Sequence, residues 1–135
     1  MLHRSNPSGV AAPTGRYHHV VTVPAGTSLA FLAGQVGYPP DGGAAPADAA
    51  AQARQAFENI ATIVRDLGAG PADIAKFTTL VVGPEGLAGF RAARDEVFDA
   101  WYPDGDVPAN TLMLVAGLAS PEILIEIEAV VALPA

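Results

Sequence analysis

The sequence predicts an α+β fold in which two helices pack on one face of a mixed β-sheet. Two observations favour this fold. Apolar residues recur at helical spacing in two segments in the middle of the chain, and segments rich in β-branched residues precede, separate and follow them. The predicted order is two or three strands, a helix, a strand, a helix and two strands. Strands at both ends with two helices between them are typical of an α+β layer.

The first helix has the clearest sequence signals. Asp48 is a suitable N-cap, and Gly68 follows as a stop, with Pro71 beyond it. Apolar residues at steps of four and three place one helical face toward the core: Ala53, Phe57, Ile60, Val64 and Leu67.

The second helix is expected from about Leu87 to Trp101. Its apolar stripe is Leu87, Phe90, Val97 and Trp101, and Arg94 falls on the same stripe. A buried charge must be paired or hydrogen-bonded, so Arg94 needs an explanation. The neighbouring Asp95 points about 100° away around the helix and does not decide between the explanations.

Five segments predict strands, namely 17–23, 29–37, 76–82, 111–118 and 123–133. Residues 1–16 are rich in Pro, Gly and Ser and predict an irregular arm, and residues 38–47 predict a loop. In the last strand, successive side chains alternate between faces. Ile125 and Ile127 therefore face the core, whereas Glu126 and Glu128 share the opposite face with Leu124. That face is either wet or covered by another subunit.

Composition favours one domain over residues 1–135 that associates with copies of itself. Half of the residues are hydrophobic, only 16% are charged, and the mean hydropathy is +0.31. A chain this small has much surface and few charges to cover it. Some apolar surface is therefore expected to lie against other copies.

Several classes of function are disfavoured. The net charge of −7 argues against binding to nucleic acid or to an anionic membrane surface. There is no cysteine, no apolar run long enough to span a membrane, and no apolar leader, so the cytoplasm is the expected compartment. His18 and His19 are adjacent on a strand and face opposite ways, so no metal site is expected. Nucleotide-binding and serine-hydrolase motifs are absent, and no cofactor is predicted.

An ordered set of short motifs spans the chain. It comprises an N-terminal group of Asn6, Pro7, Pro13, Gly15, Tyr17, His19 and Val21; the pair Gly34 and Gln35; "AQARQAFENI" at 51–60; Asp73, Lys76, Thr78 and Val81; and a C-terminal group from Pro108 to Val130 that includes "EIEAV". In this order the set resembles the Rid family, also called the YjgF/YER057c/UK114 family.

The resemblance implies a chorismate-mutase-like subunit and a homotrimer with its sheets turned inward and a small-molecule cleft at each subunit interface. It implies hydrolysis of reactive enamines and imines, such as 2-aminoacrylate, to a keto acid and ammonia. Other members of the family bind metabolites without known turnover, and some were first described as ribonucleases. A metabolite-binding protein therefore stays an alternative, whereas the acidic charge disfavours a ribonuclease.

The resemblance also implies site residues. Glu126 matches a cleft glutamate that orients the attacking water or takes its proton, and Tyr17 matches a cleft tyrosine. Asn110, followed by Thr111, occupies the place of an arginine that clamps the substrate carboxylate in "PARS" relatives. Ala33, before Gly34, replaces a serine. An amide lacks the charge and fork of a guanidinium, so 2-aminoacrylate becomes a doubtful substrate and a carboxylate is not required.

Arg94 corresponds to an asparagine of the family if Phe90 fixes the register. Two hypotheses stay open for it. Its side chain either covers apolar surface at the helix edge with its head in water, or it supplies from the second helix the cation that is missing at position 110.

Overall fold

The computed structural model describes all residues from 1 to 135. It contains six strands and two α-helices in the order β1 (His3–Ser5), β2 (Val20–Thr22), β3 (Leu29–Val36), α1 (Ala49–Asp66), β4 (Ile74–Val82), α2 (Glu85–Trp101), β5 (Ala109–Val115) and β6 (Ile125–Ala132). A short 3₁₀ turn, Pro71–Asp73, leads into β4.

The main sheet has four strands in the order β3-β6-β4-β5. β4 and β5 are parallel and are connected through α2, and the other two pairs are antiparallel. Both helices pack on one face of this sheet, and their buried side chains share one main hydrophobic core with it. The predicted mixed sheet with two helices on one face is confirmed.

The prediction that residues 1–16 form an irregular arm was wrong in part. His3–Ser5 forms β1, which pairs antiparallel with β2 to give a separate two-stranded ribbon. Leu2 lies beside β1 and packs with Ala75 and Ala132 in a small second cluster. This apolar anchor holds the first residues against the sheet, which composition alone did not reveal.

Helix α1 begins and packs as predicted. The Asp48 carboxylate accepts a hydrogen bond from the Ala51 N–H at 2.9 Å, which caps the helix. Four of the five predicted core residues, Ala53, Phe57, Ile60 and Val64, are at most 2% exposed. Leu67 is instead 41% exposed, because the helix ends at Asp66 and Gly68 reverses the chain with a φ of 74°.

Helix α2 begins at Glu85, earlier than predicted, and buries a face rotated from the predicted stripe. Its buried residues are Gly86, Phe90, Ala93 and Phe98, whereas Leu87, Val97 and Trp101 are only half-buried. Small residues bring the helices together, since a Cβ at Gly89 would lie 3.0 Å from the Ala50 nitrogen in α1. The close approach of the two helices therefore determines which face of α2 is buried. Sequence patterns did not predict this face, because glycine and alanine contribute little to a hydrophobic pattern.

Aromatic rings fill the centre of the core. Phe57 of α1 lies 5.9 Å from Phe77 of β4 and 6.0 Å from Phe98 of α2, measured between ring centroids. The only tryptophan, Trp101, packs edge-on against Phe57 at 5.8 Å and against Tyr102 at 6.2 Å. Contacts of this kind join the last turn of α2 to the helix beneath it.

The last strand separates its two faces as predicted. Ile125, Ile127 and Ala129 are at most 3% exposed and face the helices. Glu126 is half-buried and Glu128 is exposed on the opposite face, called the open face below. In the open face Glu126 pairs with Leu80 of β4 and Val36 of β3.

Neither helix combines the length and the apolarity that crossing a bilayer requires.

Candidate functional site

A cleft of about 480 Å³ opens between the N-terminal loop, α2 and the edge strand β5, and is called the β5 cleft below. Three predicted site residues, Tyr17, Arg94 and Asn110, come together there. The complete lining is Thr14, Gly15, Tyr17, Arg91, Arg94, Asn110 and Leu112.

Asn110 reaches the cleft because of its register in the sheet. β4 and β5 are parallel, and Asn110 pairs with Phe77, whose side chain faces the helices. The Asn110 amide therefore lies on the helix side of the edge strand. The hydroxyl of Thr79, which is 2% exposed, donates to Asn110 Oδ1 at 3.0 Å. This bond leaves the two N–H groups of the amide without a partner in the protomer.

Tyr17 is held by the loop that carries it. Its hydroxyl oxygen accepts a long hydrogen bond of 3.4 Å from the Thr14 N–H, and its ring packs edge-on against His19 at 5.7 Å. The next residue, His18, fixes the loop beside β5, since its N–H donates to the Pro108 carbonyl at 3.1 Å. The phenol hydroxyl of Tyr17 keeps its own proton available for a ligand.

Arg94 lies at the wall of the cleft with its side chain only 14% exposed. Asp95 nevertheless reaches the guanidinium. Arg94 Nε and Nη2 both donate to Asp95 Oδ1, at 3.1 and 3.0 Å, and the guanidinium lies 5.9 Å from the centre of the Phe90 ring. The long side chains bend toward each other despite the 100° between their Cβ directions. Phe90 supports the arginine, and Nη1 has no partner in the protomer.

Arg91 also lines the cleft, and sequence reasoning missed it. It is exposed and takes part in none of the ion pairs or side-chain hydrogen bonds of the chain. The signal was present in the sequence. Two arginines three residues apart on one helix lie on neighbouring positions of its surface.

The other predicted site residues lie on the opposite side of the sheet. Gly34 and Ala33 lie in a bulge of β3, where the register with β6 shifts between Leu32 and Gln35. Glu126 folds over this bulge. A methyl group built at Gly34 would lie 2.7 Å from Cγ and Cδ of Glu126, so the close approach requires glycine. Glu126 forms no hydrogen bond and no ion pair within the protomer.

Thr111 belongs to this second group. It is exposed and pairs with Thr78 of β4, whose other partner is Glu128 in β6, so it projects from the open face. One protomer therefore brings Tyr17, Arg94 and Asn110 together and keeps them apart from Ala33, Gly34, Thr111 and Glu126. Neighbouring residues Asn110 and Thr111 serve opposite faces because side chains alternate along a strand.

His18 and His19 have structural partners. His18 Nδ1 lies 2.7 Å from the Val107 carbonyl, and His19 Nε2 lies 2.7 Å from the Ala11 carbonyl. No group of three or more His, Asp or Glu side chains is arranged to share a metal ion.

A larger cavity, of about 620 Å³, lies at the other end of α2. It is lined by residues 1–4 and by residues around Trp101 and Asp104, and it contains none of the predicted site residues. The β5 cleft, although smaller, gathers three residues that the sequence had singled out, and it is therefore the candidate site.

Comparison with known proteins places the chain in a family. The family model described as endoribonuclease L-PSP matches residues 9–133. The crystal structure of YyfB from Yersinia pestis, a protein of the conserved Rid family, superposes with a TM-score of 0.82 at 34% identity and covers 98% of both chains.

The chain belongs to the Rid family.

Two further relatives of this Rid protein have names or titles that state an activity or a bound ligand. The chain is 34% identical to the 2-iminobutanoate/2-iminopropanoate deaminase of Escherichia coli over 105 residues. This alignment covers 76% of this chain and 78% of the deaminase. It also resembles the structure of E. coli TdcF with bound serine, with a TM-score of 0.70, 29% identity and coverage of 89% of this chain and 90% of the other.

Proposed function

We propose that this Rid protein forms a homotrimer and processes a small imine, enamine or related carbonyl metabolite at clefts between subunits. The observation that carries the proposal is that the Glu126 carboxylate has no bonding partner. Its carboxylate lies on the open face against Gly34 and has no partner in its own protomer. A carboxylate on a largely apolar face is costly to cover unless a ligand, water or a neighbouring chain bonds to it.

The division of the site residues between two surfaces supports an interfacial site. In the trimer, the β5 cleft of one protomer faces the open face of the next, so that Tyr17, Arg94 and Asn110 meet Glu126, Gly34 and Thr111 of the neighbouring copy. Neither surface alone offers both the binding groups and a carboxylate.

In the proposed reaction, Glu126 accepts a proton from the water molecule that attacks the imine carbon. Attack on the protonated imine gives a neutral carbinolamine, whose nitrogen takes this proton back from Glu126. As the C–N bond breaks and ammonia leaves, Glu126 accepts the hydroxyl proton and a carbonyl compound remains. The Tyr17 hydroxyl and the Asn110 amide donate hydrogen bonds that orient the substrate. The E. coli deaminase relative supports this reaction class.

A metabolite-binding protein without turnover is the second candidate. One observation favours it, since no carboxylate and no histidine lines the β5 cleft. If the neighbouring Glu126 did not complete the site, the cleft would bind a ligand without an acid or base to act on it. A ribonuclease is not proposed, because a net charge of −7 opposes binding to phosphates.

The experiment compares Glu126→Gln with Glu128→Gln in assays on imines with and without a carboxylate. Glu126→Gln keeps the side-chain shape and removes the base, so turnover is expected to fall by about a hundredfold or more. Glu128→Gln removes a carboxylate of the same face and is expected to have a mild effect. Normal turnover by Glu126→Gln contradicts the catalytic role, and ligand binding without turnover by the unmodified protein favours the second candidate.

A further inference from the structure

The charge of the β5 cleft is opposite to that of the whole chain. The chain has 14 acidic and seven basic residues. Among the residues that line the cleft there is no acid, but there are two arginines, Arg91 and Arg94. The remaining polar groups there include the N–H groups of Asn110 and the hydroxyl of Tyr17, which are available donors. A wall of cations and donors favours a negatively charged ligand.

The charge of Arg91 is not neutralised within the protomer. Asp95, four residues further along α2, is the acid that would normally pair with it. Its carboxylate is already engaged, with Arg94 at 3.0 Å and with Arg16 at 3.5 Å. Arg16 also pairs with Asp99 at 2.8 Å. Arg16 and Arg94 thus occupy the carboxylates of Asp95 and Asp99, and Arg91 has no acidic partner.

Arg94 is held by several contacts, whereas Arg91 is exposed and has none of them. Two nitrogens of the Arg94 guanidinium are bonded to Asp95 and its face rests near the Phe90 ring, so its remaining nitrogen, Nη1, is presented by a rigid group. Arg91 lies three residues earlier, with a Cβ separation of about 5–6 Å expected for that spacing. The cleft therefore offers two separate cationic points one helical turn apart.

We propose that the β5 cleft accepts a small dicarboxylate, with Arg94 bonding one carboxylate and Arg91 the other. A ligand with a single carboxylate uses only one of these cations. Together with the proposed function, on which it rests for the reaction class, this inference assigns a 2-imino or 2-oxo dicarboxylate of four or five carbons as the preferred ligand.

The test measures binding by titration calorimetry of the intact protein at low ionic strength. The probes are 2-oxoglutarate and oxaloacetate as dicarboxylates, 2-oxobutanoate as a monocarboxylate of similar size, and inorganic phosphate as a compact anion. The unmodified protein is expected to bind a dicarboxylate about tenfold or more tightly than 2-oxobutanoate. Arg91→Met is expected to reduce this ratio by about tenfold.

Arg65→Met is the matched control. Arg65 is also a helical arginine, its side chain is 72% exposed, and it lies outside the cleft with only a 4.0 Å contact to Asp66. The control removes the same charge from the chain and is expected to keep the ratio. An equal loss in both variants would mean that net charge alone sets the affinity, and this would overturn the inference. Phosphate that binds more tightly than both dicarboxylates would overturn it as well.

The experiments distinguish failure of the dicarboxylate inference from failure of the proposed function. A protein without turnover that prefers dicarboxylates, and loses the preference in Arg91→Met, retains this inference and refutes the proposed chemistry. A protein that hydrolyses imines but shows the same affinity ratio with and without Arg91 retains the chemistry and refutes the dicarboxylate.

Discussion

The buried hydroxyl of Thr79 determines which way the Asn110 amide faces. Because Thr79 donates to Asn110 Oδ1, the amide presents donors rather than an acceptor to the β5 cleft. A buried residue thus fixes the polarity of one that we propose as a binding group. This polarity matches the two arginines beside it.

Thr79→Val is expected to weaken ligand binding by about fivefold, which corresponds to the loss of roughly 1 kcal/mol of hydrogen bonding. Valine has nearly the same shape but cannot donate, so Asn110 becomes free to turn its oxygen toward an anionic ligand. Calorimetric Kd values check this. Thr78→Val, the same change on the other face of β4, is the control, and equal effects of the two variants would contradict the positioning role.

At the scale of the element, the bulge in β3 is the feature that places the Glu126 carboxylate. A regular strand would set a side chain against Glu126, whereas the bulge turns Gly34 toward it. Bulges re-aim side chains beside functional sites in many sheets.

Gly34→Ala is expected to displace the Glu126 carboxylate and to lower kcat by about ten- to a hundredfold, because small misplacements of a catalytic group are costly. Stability is expected to change by less than about 1 kcal/mol, since the displaced end of Glu126 is flexible. Steady-state kinetics and thermal unfolding measure the two effects. Gly117→Ala, at a glycine with open space around it, is the control. Unchanged kcat in Gly34→Ala would show that the close contact has no role in turnover.

The two helices and the last strand show what local sequence can predict. The cap at Asp48 and the alternation in β6 depend on neighbouring residues only, and both were predicted. The buried face of α2 depends on how closely Gly86 and Gly89 let it approach the rest of the fold, which no residue of α2 reveals by itself.

The candidate site was less predictable for a related reason. Tyr17, Asn110 and Glu126 could be singled out by resemblance, but the face that Asn110 occupies depends on the register of β5 against β4. The bond from Thr79 to Asn110 and the engagement of Asp95 by two arginines join residues through tertiary packing, so they became visible only in the structure.

At the scale of the whole molecule, the open face carries apolar surface that the protomer does not cover. Phe31 is 77% exposed and Met113 is 42% exposed, and both project from this side of the sheet. Exposed aromatic surface on a chain with few charges favours association.

The protein is expected to sediment with three times its chain mass of 13.7 kDa at micromolar concentration. Phe31→Asp, which places a charge in the proposed interface, is expected to shift the protein toward the single-chain mass while the helical circular dichroism signal is retained. A single-chain mass for the unmodified protein would contradict the trimer.

Alkaline pH is expected to destabilise the fold through Tyr102. Its hydroxyl is buried and donates to the Pro71 carbonyl at 3.0 Å. Burial raises the pKa of this hydroxyl far above its ordinary value of 10.0, and the charge of Arg4 offsets only part of the shift. The folded chain therefore keeps a proton that the unfolded chain loses above about pH 10, so the free energy of unfolding falls as the pH rises.

Tyr102→Phe is expected to cost about 1 kcal/mol at pH 7, through the lost hydrogen bond, and to flatten the decline above pH 10 by up to about 1.4 kcal/mol per pH unit. Urea unfolding at several pH values measures both effects. Parallel curves for the two proteins would contradict the assignment to Tyr102.

The position of Trp101 makes tryptophan fluorescence a local probe of this fold. It is the only tryptophan of the chain, it packs on Phe57 and Tyr102, and it is not among the residues that line the β5 cleft. Its emission therefore comes from a single place, the junction of α2 with the core. When the indole is excited selectively at the red edge of its absorption band, a change in its emission reports that this junction opens. Unfolding can therefore be followed during a ligand titration without emission from a second tryptophan.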